Sequence, residues 1–279
     1  ILADILIGMK EDIDGTIKFI HQPAEETPPG GAKTIMESGI LDDVDSIFGI
    51  HVMTTAPLGT VGYHSGVTQA GRSYFKVRIN GKGGHGSMPH LSNDPIVAAS
   101  HFVVGVQSIV SRRVNPLETA VVTIGSFDGK GSFNVINDHV ELEGDVRTLS
   151  GEVREQVKEE FETILDGIMK AYKCTYELIY SHDYPVLVNN PEMTELVVNA
   201  IKNSELNEVK DFLDCGQVTG SEDMAYYLEK IPGAYYYVGA RPEGDVWYPH
   251  HHPKFNIDEE SLRISAKTMA AVIKEYLEK

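Results

Sequence analysis

Apolar and polar residues alternate along residues 73–79, as they do in a half-buried strand. Segments with helical and strand periods then follow one another as far as Tyr180. They are a helix from about 93 to 113, strands at 119–124 and 139–147, a helix at 151–172 and a strand at 174–180. The order strand-helix-strand-strand-helix-strand predicts a ferredoxin-like domain, which we place at residues 70–184.

The segments on either side of this domain predict a second fold. They are strands near 15–22, 46–52 and 234–239, and helices near 1–12, 31–38, 191–204, 221–229 and 258–278. This alternation indicates an α/β sheet covered by helices. We therefore predict an α/β protein in which residues 1–69 and 185–279 form one domain and residues 70–184 are an insertion.

Two adjacent carboxylates, Glu25 and Glu26, follow the predicted strand at 15–22, which Pro23 ends because proline cannot donate to a strand ladder. Open α/β sheets place their ligands at the carboxyl ends of strands. Neighbouring side chains of an extended segment point apart, so one carboxylate can hold a cation while the other faces a bound water. The alternative is a solvated acidic loop.

Histidines favour the first interpretation. His51 follows a second apolar strand, and residues 250–252 are a histidine triplet before Pro253. Glu and His side chains from separate strand ends are usual ligands of a hydrolytic zinc site. Each signal is weak alone, because a single histidine is often packed or at the surface and a triplet beside proline can be a polar loop.

Composition restricts the classes of partner. A chain of 279 residues, 42% hydrophobic, can bury a core in one or two domains. The net charge of -17 argues against nucleic acid or an anionic membrane as a partner. There is no membrane-spanning apolar run and no signal-peptide pattern. Two cysteines make no disulfide framework, so we predict a cytoplasmic location.

Several motifs, taken together, resemble one family. In order they are His21-Gln-Pro-Ala-Glu-Glu26, Phe48-Gly-Ile-His51, Gly83-Gly-His-Gly-Ser-Met-Pro89, Gly220-Ser-Glu-Asp-Met224 and His251-His-Pro-Lys-Phe255. They resemble the metal-dependent amidohydrolase branch of the aminoacylase and glutamate-carboxypeptidase zinc peptidases. This branch includes hippurate hydrolases, N-acyl-amino-acid amidohydrolases, N-acetyldiaminopimelate deacetylases and indoleacetyl-amino-acid hydrolases. The resemblance implies a zinc-peptidase-like catalytic domain with the ferredoxin-like insertion as a lid or dimerisation domain.

The resemblance also implies roles for residues of the catalytic domain. Glu25 would be the general base, and Glu26, His51 and His251 would be metal ligands. The His-x-Pro-x-Phe pattern selects His251 over its two neighbours in the triplet. The cofactors would be two divalent metal ions, zinc or, as in some relatives, manganese.

Three residues of the insertion receive roles by the same resemblance. His85, in a glycine-rich loop, would stabilise the oxyanion of the tetrahedral intermediate, and in several relatives this histidine comes from the partner subunit. Asn134 and Arg147 would hold the substrate carboxylate. The structural alternatives are a tight turn, a turn asparagine and a surface strand arginine.

Residues 221–223 mark the same branch without receiving a catalytic role. Ser221, Glu222 and Asp223 begin a predicted helix, where serine and acidic side chains cap well.

One family motif is missing. The chain has no His-x-Cys-Gly-His-Asp sequence, whose Cys and second His are usually ligands in this branch, and Cys174 and Cys215 lie in other contexts. Apolar residues from Ile1 to Met9 recur at helical spacing without a cap, so we expect the chain to begin inside a helix. We expect a fragment that lacks the first part of the catalytic domain and is nearly inactive; a naturally short homologue is the alternative.

The predicted function is hydrolysis of the amide bond of an N-acyl amino acid or small peptide by a metal-activated water. One alternative is a dipeptidase or carboxypeptidase of the same superfamily, which differs only in its acyl-side pocket. Another is a non-catalytic oligomerisation module, which the missing motif favours for the fragment. We expect a small-molecule substrate, a homodimer or higher homo-oligomer through the insertion, and neither nucleic acid nor membrane as a partner.

Overall fold

The computed structural model describes residues 1–244 and 246–278, so Asp245 and Lys279, which lie within the predicted segment 185–279, are outside the described residues. The chain divides into two compact units. The first unit contains Ile1–Thr68, Leu187–Val218 and Glu222–Lys279, and the second contains Gln69–Val186 and Thr219–Ser221. Helices and strands alternate through both units, as predicted for an α/β protein.

The strands are numbered in chain order. They are β1 (Ile47–Pro57), β2 (Thr60–Tyr63), β3 (Gly66–Gln69), β4 (Gly71–Asn80), β5 (Gly84–His85), β6 (Ala120–Asp128), β7 (Val135–Ile136), β8 (His139–Thr148), β9 (Thr175–Tyr184), β10 (Leu187–Asn189), β11 (Asp211–Asp214) and β12 (Gly233–Arg241).

The helices are numbered in the same way. They are α1 (Leu2–Gly8), α2 (Gly30–Glu37), α3 (Pro95–Ser108), α4 (Gly151–Tyr172), α5 (Pro191–Asn203), α6 (Ala225–Leu228) and α7 (Glu260–Leu277), with a 3₁₀ turn at Pro89–Leu91 and a π-helical turn at Ile109–Arg113.

The first unit is built on a mixed sheet with the order β1-β12-β2-β11. Strand β12 is parallel to β1 and antiparallel to β2, and β11 is parallel to β2. Alternate residues of β12 enter different cores, as the two-residue period of a strand requires. Tyr236 packs with residues of α5 and α7, whereas Tyr235 packs with residues of α2 and α6. The sheet is therefore covered on both faces.

The strand predicted at residues 15–22 is wrong. This segment is assigned to no helix or strand and belongs to none of the described sheets, and Phe19 is 44% exposed. The segment is tethered instead by Lys18, whose Nζ binds the backbone oxygen of Ile40 and the carboxylate of Asp43. Alternation of apolar and polar residues favours an extended chain, but a strand also needs a neighbouring strand to complete its backbone hydrogen bonds.

The second unit has the ferredoxin-like order β6-β8-β4-β9, in which all neighbouring strands are antiparallel. Phe75, Val77 and Ile79 alternate along β4 and are fully buried in one core with residues of α3 and α4. Both helices begin at caps. Asp94 Oδ1 accepts from two backbone N–H groups of α3, and the Ser150 side chain accepts from Val153 N at the start of α4.

His182 makes the stability of the second unit sensitive to acid. Its Nδ1 lies 2.8 Å from Ser73 Oγ and its Nε2 lies 3.3 Å from Glu155 Oε1. Burial, followed by the positive charge of Arg154, lowers the pKa of His182 below its usual 6.5. The unfolded chain therefore takes up a proton first, and stability is lost as the pH falls through 6.5 towards the lower pKa of the folded state.

We expect His182→Gln to reduce this acid sensitivity. The free energy of unfolding, measured with urea at about pH 7.5 and about pH 5.5, should fall less in the variant than in the parent protein. His90→Gln, at an exposed histidine, is the control and should leave the pH dependence unchanged. An identical fall in parent and His182→Gln would contradict the assignment.

None of the helices in the described part of the chain combines the length and the apolar character needed to cross a membrane.

Candidate active site

The predicted catalytic carboxylates lie in the loop between the segment at 15–22 and helix α2. Ala24 begins a turn closed by the hydrogen bond from Thr27 N to Ala24 O at 3.0 Å, and its φ is 62°. A non-glycine residue with positive φ is uncommon and is kept only where its surroundings fix it. Glu25 is half-buried and the side chain of Glu26 is 75% exposed, so the two carboxylates have different surroundings.

Glu25 belongs to a group of acidic side chains. Ligand atoms of Glu25, Glu222 and Asp223 all lie within 4.8 Å of one another. Burial, and then the negative charges of Glu222, Glu26 and Asp223, raise the pKa of Glu25 to about 7, although the backbone N–H of Asp223 donates to this carboxylate and opposes the rise. A cation beside these groups would offset their repulsion.

Glu222 and Asp223 do not cap a helix, so that prediction is wrong. Helix α6 begins only at Ala225, and at its N-cap residue, Met224, no side chain makes a capping hydrogen bond. Both acidic side chains are buried, and they accept hydrogen bonds from residues of the first unit outside α6. Glu222 Oε2 accepts from Tyr235 OH at 2.6 Å, and burial raises the pKa of Glu222. Their place beside Glu25 was not predicted from the sequence.

His51 lies at the middle of β1, where the strand pairs with the aromatic residues of β12. Its ring centroid is 6.4 Å from that of Tyr235, 6.5 Å from that of Tyr237 and 4.9 Å from that of His250. His51 Nδ1 lies 2.6 Å from Val52 O, which fixes one ring nitrogen to the backbone. The predicted ligand His51 therefore lies next to Tyr235 and Tyr237 of β12 and next to His250 of the triplet.

His251 lies beside Glu26. Its Nε2 is 3.7 Å from Glu26 Oε1, and its φ of 65° is left-handed. The neighbouring His250 has a buried Nε2 that makes no hydrogen bond within the described residues, and burial lowers the pKa of His250. Two histidines of the triplet therefore lie at the site, one against Glu26 and one against His51.

The donor set fits a divalent metal, although the predicted ligands are not assembled into one tight group. Two ligands of a tetrahedral zinc with bonds of about 2.0–2.1 Å are separated by about 3.3 Å, close to the Glu26–His251 distance. The orphaned Nε2 of His250 is a further nitrogen donor. Within the described residues, however, Glu26, His51 and His251 are not mutually within 4.8 Å; that distance is met by Glu25, Glu222 and Asp223.

In the second unit, His85 is oriented by its own loop. Ser87 N donates to His85 Nδ1 at 3.2 Å, and Ser87 Oγ lies 2.8 Å from the same atom. A backbone N–H can only donate, so Nδ1 accepts and the proton of the neutral ring is on Nε2. His85 therefore presents a hydrogen-bond donor at Nε2, the group that an oxyanion requires.

Asn134 lies beside this loop, whereas Arg147 is held elsewhere in the second unit. Strand β5 pairs with β7, and Gly86 N donates to Asn134 O at 2.8 Å. Arg147, on β8, donates from Nε to Asp145 Oδ2 at 2.6 Å and from Nη1 to Ser221 Oγ at 2.8 Å. The structure thus brings His85 and Asn134 together and gives Arg147 two protein acceptors.

Comparison with known proteins places the chain in a family. Residues 1–275 match Peptidase family M20/M25/M40. The chain belongs to this family. An N-acetyl-L-cysteine deacetylase of Bacillus subtilis is 40% identical over 260 residues, which are 93% of this chain and 60% of the deacetylase. This chain therefore spans less than two thirds of that deacetylase.

Two solved structures share the fold. An aminohydrolase from methicillin-resistant Staphylococcus aureus has a TM-score of 0.91 and 50% identity, and the match covers 99% of this chain and 71% of that one. The YXEP protein of Bacillus subtilis, described as a dinuclear metal-binding M20 peptidase, has a TM-score of 0.80 and 31% identity. The match covers 99% of this chain and 69% of that one.

M20 membership confirms the predicted family, the fold class and the enzyme class, a metal-dependent hydrolase of amide bonds. A dinuclear site in a related M20 peptidase supports the prediction of two divalent ions. The roles of individual residues stay predictions.

Proposed function

We propose that the complete protein hydrolyses the amide bond of N-acyl amino acids, with Glu25 as the general base. The observation that carries the proposal is the position of Glu25. Its carboxylate is half-buried, held by the Asp223 backbone N–H, and adjacent in sequence to Glu26, which lies beside His251. One carboxylate oriented for proton transfer next to a carboxylate–imidazole pair suits metal-assisted hydrolysis.

The predicted site residues of the first unit have two roles in the reaction, metal binding and proton transfer. Glu26, His51 and His251 would hold divalent ions; the nitrogen and oxygen donors suit zinc, and manganese is the alternative. A bound divalent ion polarises the amide carbonyl and lowers the pKa of a water ligand. Glu25 accepts a proton from the attacking water at its carboxylate and transfers it to the nitrogen of the leaving amino acid, which then departs as a neutral amine.

Residues of the second unit would stabilise charge on the substrate. His85 would donate from Nε2 to the developing oxyanion, a role supported by the acceptor state of Nδ1. Asn134 would bind the substrate carboxylate with its amide. Arg147 would do so with the N–H groups that do not bind Asp145 or Ser221, since a guanidinium has five donors.

We also propose that the second unit forms a homodimer. Its sheet ends in strands β6 and β9, whose outer edges have no strand partner among the described residues. Large apolar side chains are exposed on the same unit, including Val104 at 73% and Ile179 at 60%. Edge strands and exposed apolar groups are typical of surfaces that pair with a second copy.

The cytoplasmic location stays a prediction.

A peptidase is the second candidate, because the YXEP relative is described as a peptidase. N-acetyl-L-alanine and glycyl-L-alanine distinguish the two functions, since they release the same amino acid and differ by the ammonium group on the acyl side. We expect kcat/KM of the complete protein to be about tenfold or more higher for N-acetyl-L-alanine, because a pocket for an acyl group leaves an ammonium unpaired. The opposite ratio would make the protein a dipeptidase.

A further inference from the structure

The side chain of Asp223 ties together both ends of the loop that carries Glu25 and Glu26. Asp223 is fully buried. Gln22 Nε2, before the loop, lies 2.6 Å from both carboxylate oxygens of Asp223. Ala32 N, in the first turn of helix α2 after the loop, donates to Asp223 Oδ2 at 3.1 Å. A single carboxylate therefore fixes the separation between the two ends of residues 23–31.

The same residue also contacts the predicted base. The backbone N–H of Asp223 donates to the carboxylate of Glu25. The amide of Gln22 is in turn fixed on its other side, because Tyr227 OH donates to Gln22 Oε1 at 2.8 Å. Asp223 thus holds the loop through its side chain and the Glu25 carboxylate through its main chain.

Two glycines at the start of α2 allow the chain to approach this carboxylate closely. Gly30 has a φ of 77°, and a Cβ at this position would lie 2.1 Å from Asp223 Oδ2. A Cβ at Gly31 would lie 2.3 Å from the backbone oxygen of Pro23. Any other residue would push the loop away from Asp223, so the glycine pair is required by the close approach of the chain.

The hydrogen bonds of the Asp223 carboxylate argue against a role as a metal ligand. Asp223 belongs to the acidic group with Glu25 and Glu222. Its oxygens, however, already accept from the Gln22 amide and from Ala32 N, and a metal would have to displace these donors. A buried carboxylate satisfied by protein N–H groups is typical of a structural anchor.

We propose that Asp223 is a positioning residue that holds residues 23–31 so that the Glu25 carboxylate keeps the orientation required for proton transfer. The proposal rests on the proposed role of Glu25 as the general base. A displaced base slows the chemical step more than it weakens substrate binding, so the effect belongs in kcat.

The test exchanges the donor and the acceptor of the Gln22–Asp223 pair in the complete protein. Asp223→Asn replaces one carboxylate oxygen by an N–H₂ group, which cannot accept a hydrogen bond from the Gln22 amide. We expect kcat on N-acetyl-L-alanine to fall about ten- to a hundredfold, with KM and metal content unchanged. Hydrogen–deuterium exchange over residues 21–32 should become faster.

The double variant Gln22→Glu/Asp223→Asn should reverse both effects. In it the introduced amide donates to the introduced carboxylate, Tyr227 OH still donates to that carboxylate, and Ala32 N still finds an acceptor. We expect kcat to return to within about threefold of the parent and exchange over residues 21–32 to return to the parent rate. Tyr236→Phe, which removes a buried hydrogen bond to Thr268 in the other core, is the matched control and should change neither.

Three results would overturn the proposal. They are an unchanged kcat and exchange rate in Asp223→Asn, loss of metal in that variant, which would make Asp223 a ligand, and no recovery in the double variant. If Asp223→Asn does not fold, Tyr227→Phe provides the test. It removes the hydrogen bond from Tyr227 OH to Gln22 Oε1, which holds the amide that binds Asp223. We expect faster exchange over residues 21–32 in Tyr227→Phe, and no change would contradict the proposal.

The experiment also separates this proposal from the proposed function. If Glu25→Gln kept full activity, Glu25 would not be the base, and the exchange measurement would still show whether Asp223 anchors the loop.

Discussion

Glu25→Gln is expected to lower kcat of the complete protein by about 10²- to 10⁴-fold while its metal content and KM stay close to the parent values. The replacement has nearly the same shape and can still accept the hydrogen bond from the Asp223 backbone N–H. It cannot accept a proton from water or pass one to the leaving amine. The measurement is steady-state hydrolysis of N-acetyl-L-alanine together with elemental analysis of the purified variant.

The control for this prediction is Glu118→Gln, the same chemical change at an exposed loop glutamate, which should keep full activity. Loss of metal in Glu25→Gln would show that Glu25 is a ligand. Full activity in Glu25→Gln would remove it from the reaction altogether.

Glu26→Ala and His251→Ala are expected to lose metal and, with it, amide hydrolysis. The two side chains face each other across 3.7 Å and are both largely exposed, so neither is needed for the packing of the core. Removing a partner of a metal ligand already costs about 10–100-fold in affinity, so removing a ligand should cost more than about 100-fold. Elemental analysis and calorimetric titration with zinc measure the loss.

His252→Ala is the matched control, because His252 belongs to the same triplet. Its ring stacks on Tyr248 with a centroid distance of 4.4 Å, and its Nδ1 accepts from Lys254 N. This variant should retain metal. If His252→Ala lost metal while His251→Ala kept it, the ligand assignment within the triplet would be reversed.

Local sequence patterns predicted the second unit well because its antiparallel sheet is covered on one face by helices. Residues of β4 alternate between the core and the other face, and that alternation is visible in the sequence. Helix α4 occupies residues 151–172, as predicted, because an amphipathic period begins at the Ser150 cap. Strands such as β10, which has three residues and pairs with β3 in a two-stranded sheet, are too short to show a period in the sequence.

The candidate site was predictable only in part. Glu25, Glu26, His51 and His251 lie in recognisable motifs, whereas the setting of Asp223 depends on Gln22, which is 201 positions away in the chain. A serine and two acids before a short helix are also typical of a cap, so the local pattern indicated the wrong partner. The long-range hydrogen bonds that decide the role of Asp223 exist only in the folded chain.

Removal and return of metal tests directly whether this chain belongs to a metal-dependent amide hydrolase. The complete protein is dialysed against a chelator, assayed on N-acetyl-L-alanine, and assayed again after stepwise addition of zinc or manganese. We expect hydrolysis to fall to the rate without enzyme and to return as about two ions bind per chain. Full hydrolysis by protein that holds less than about one tenth of an ion per chain would contradict a metal-dependent reaction.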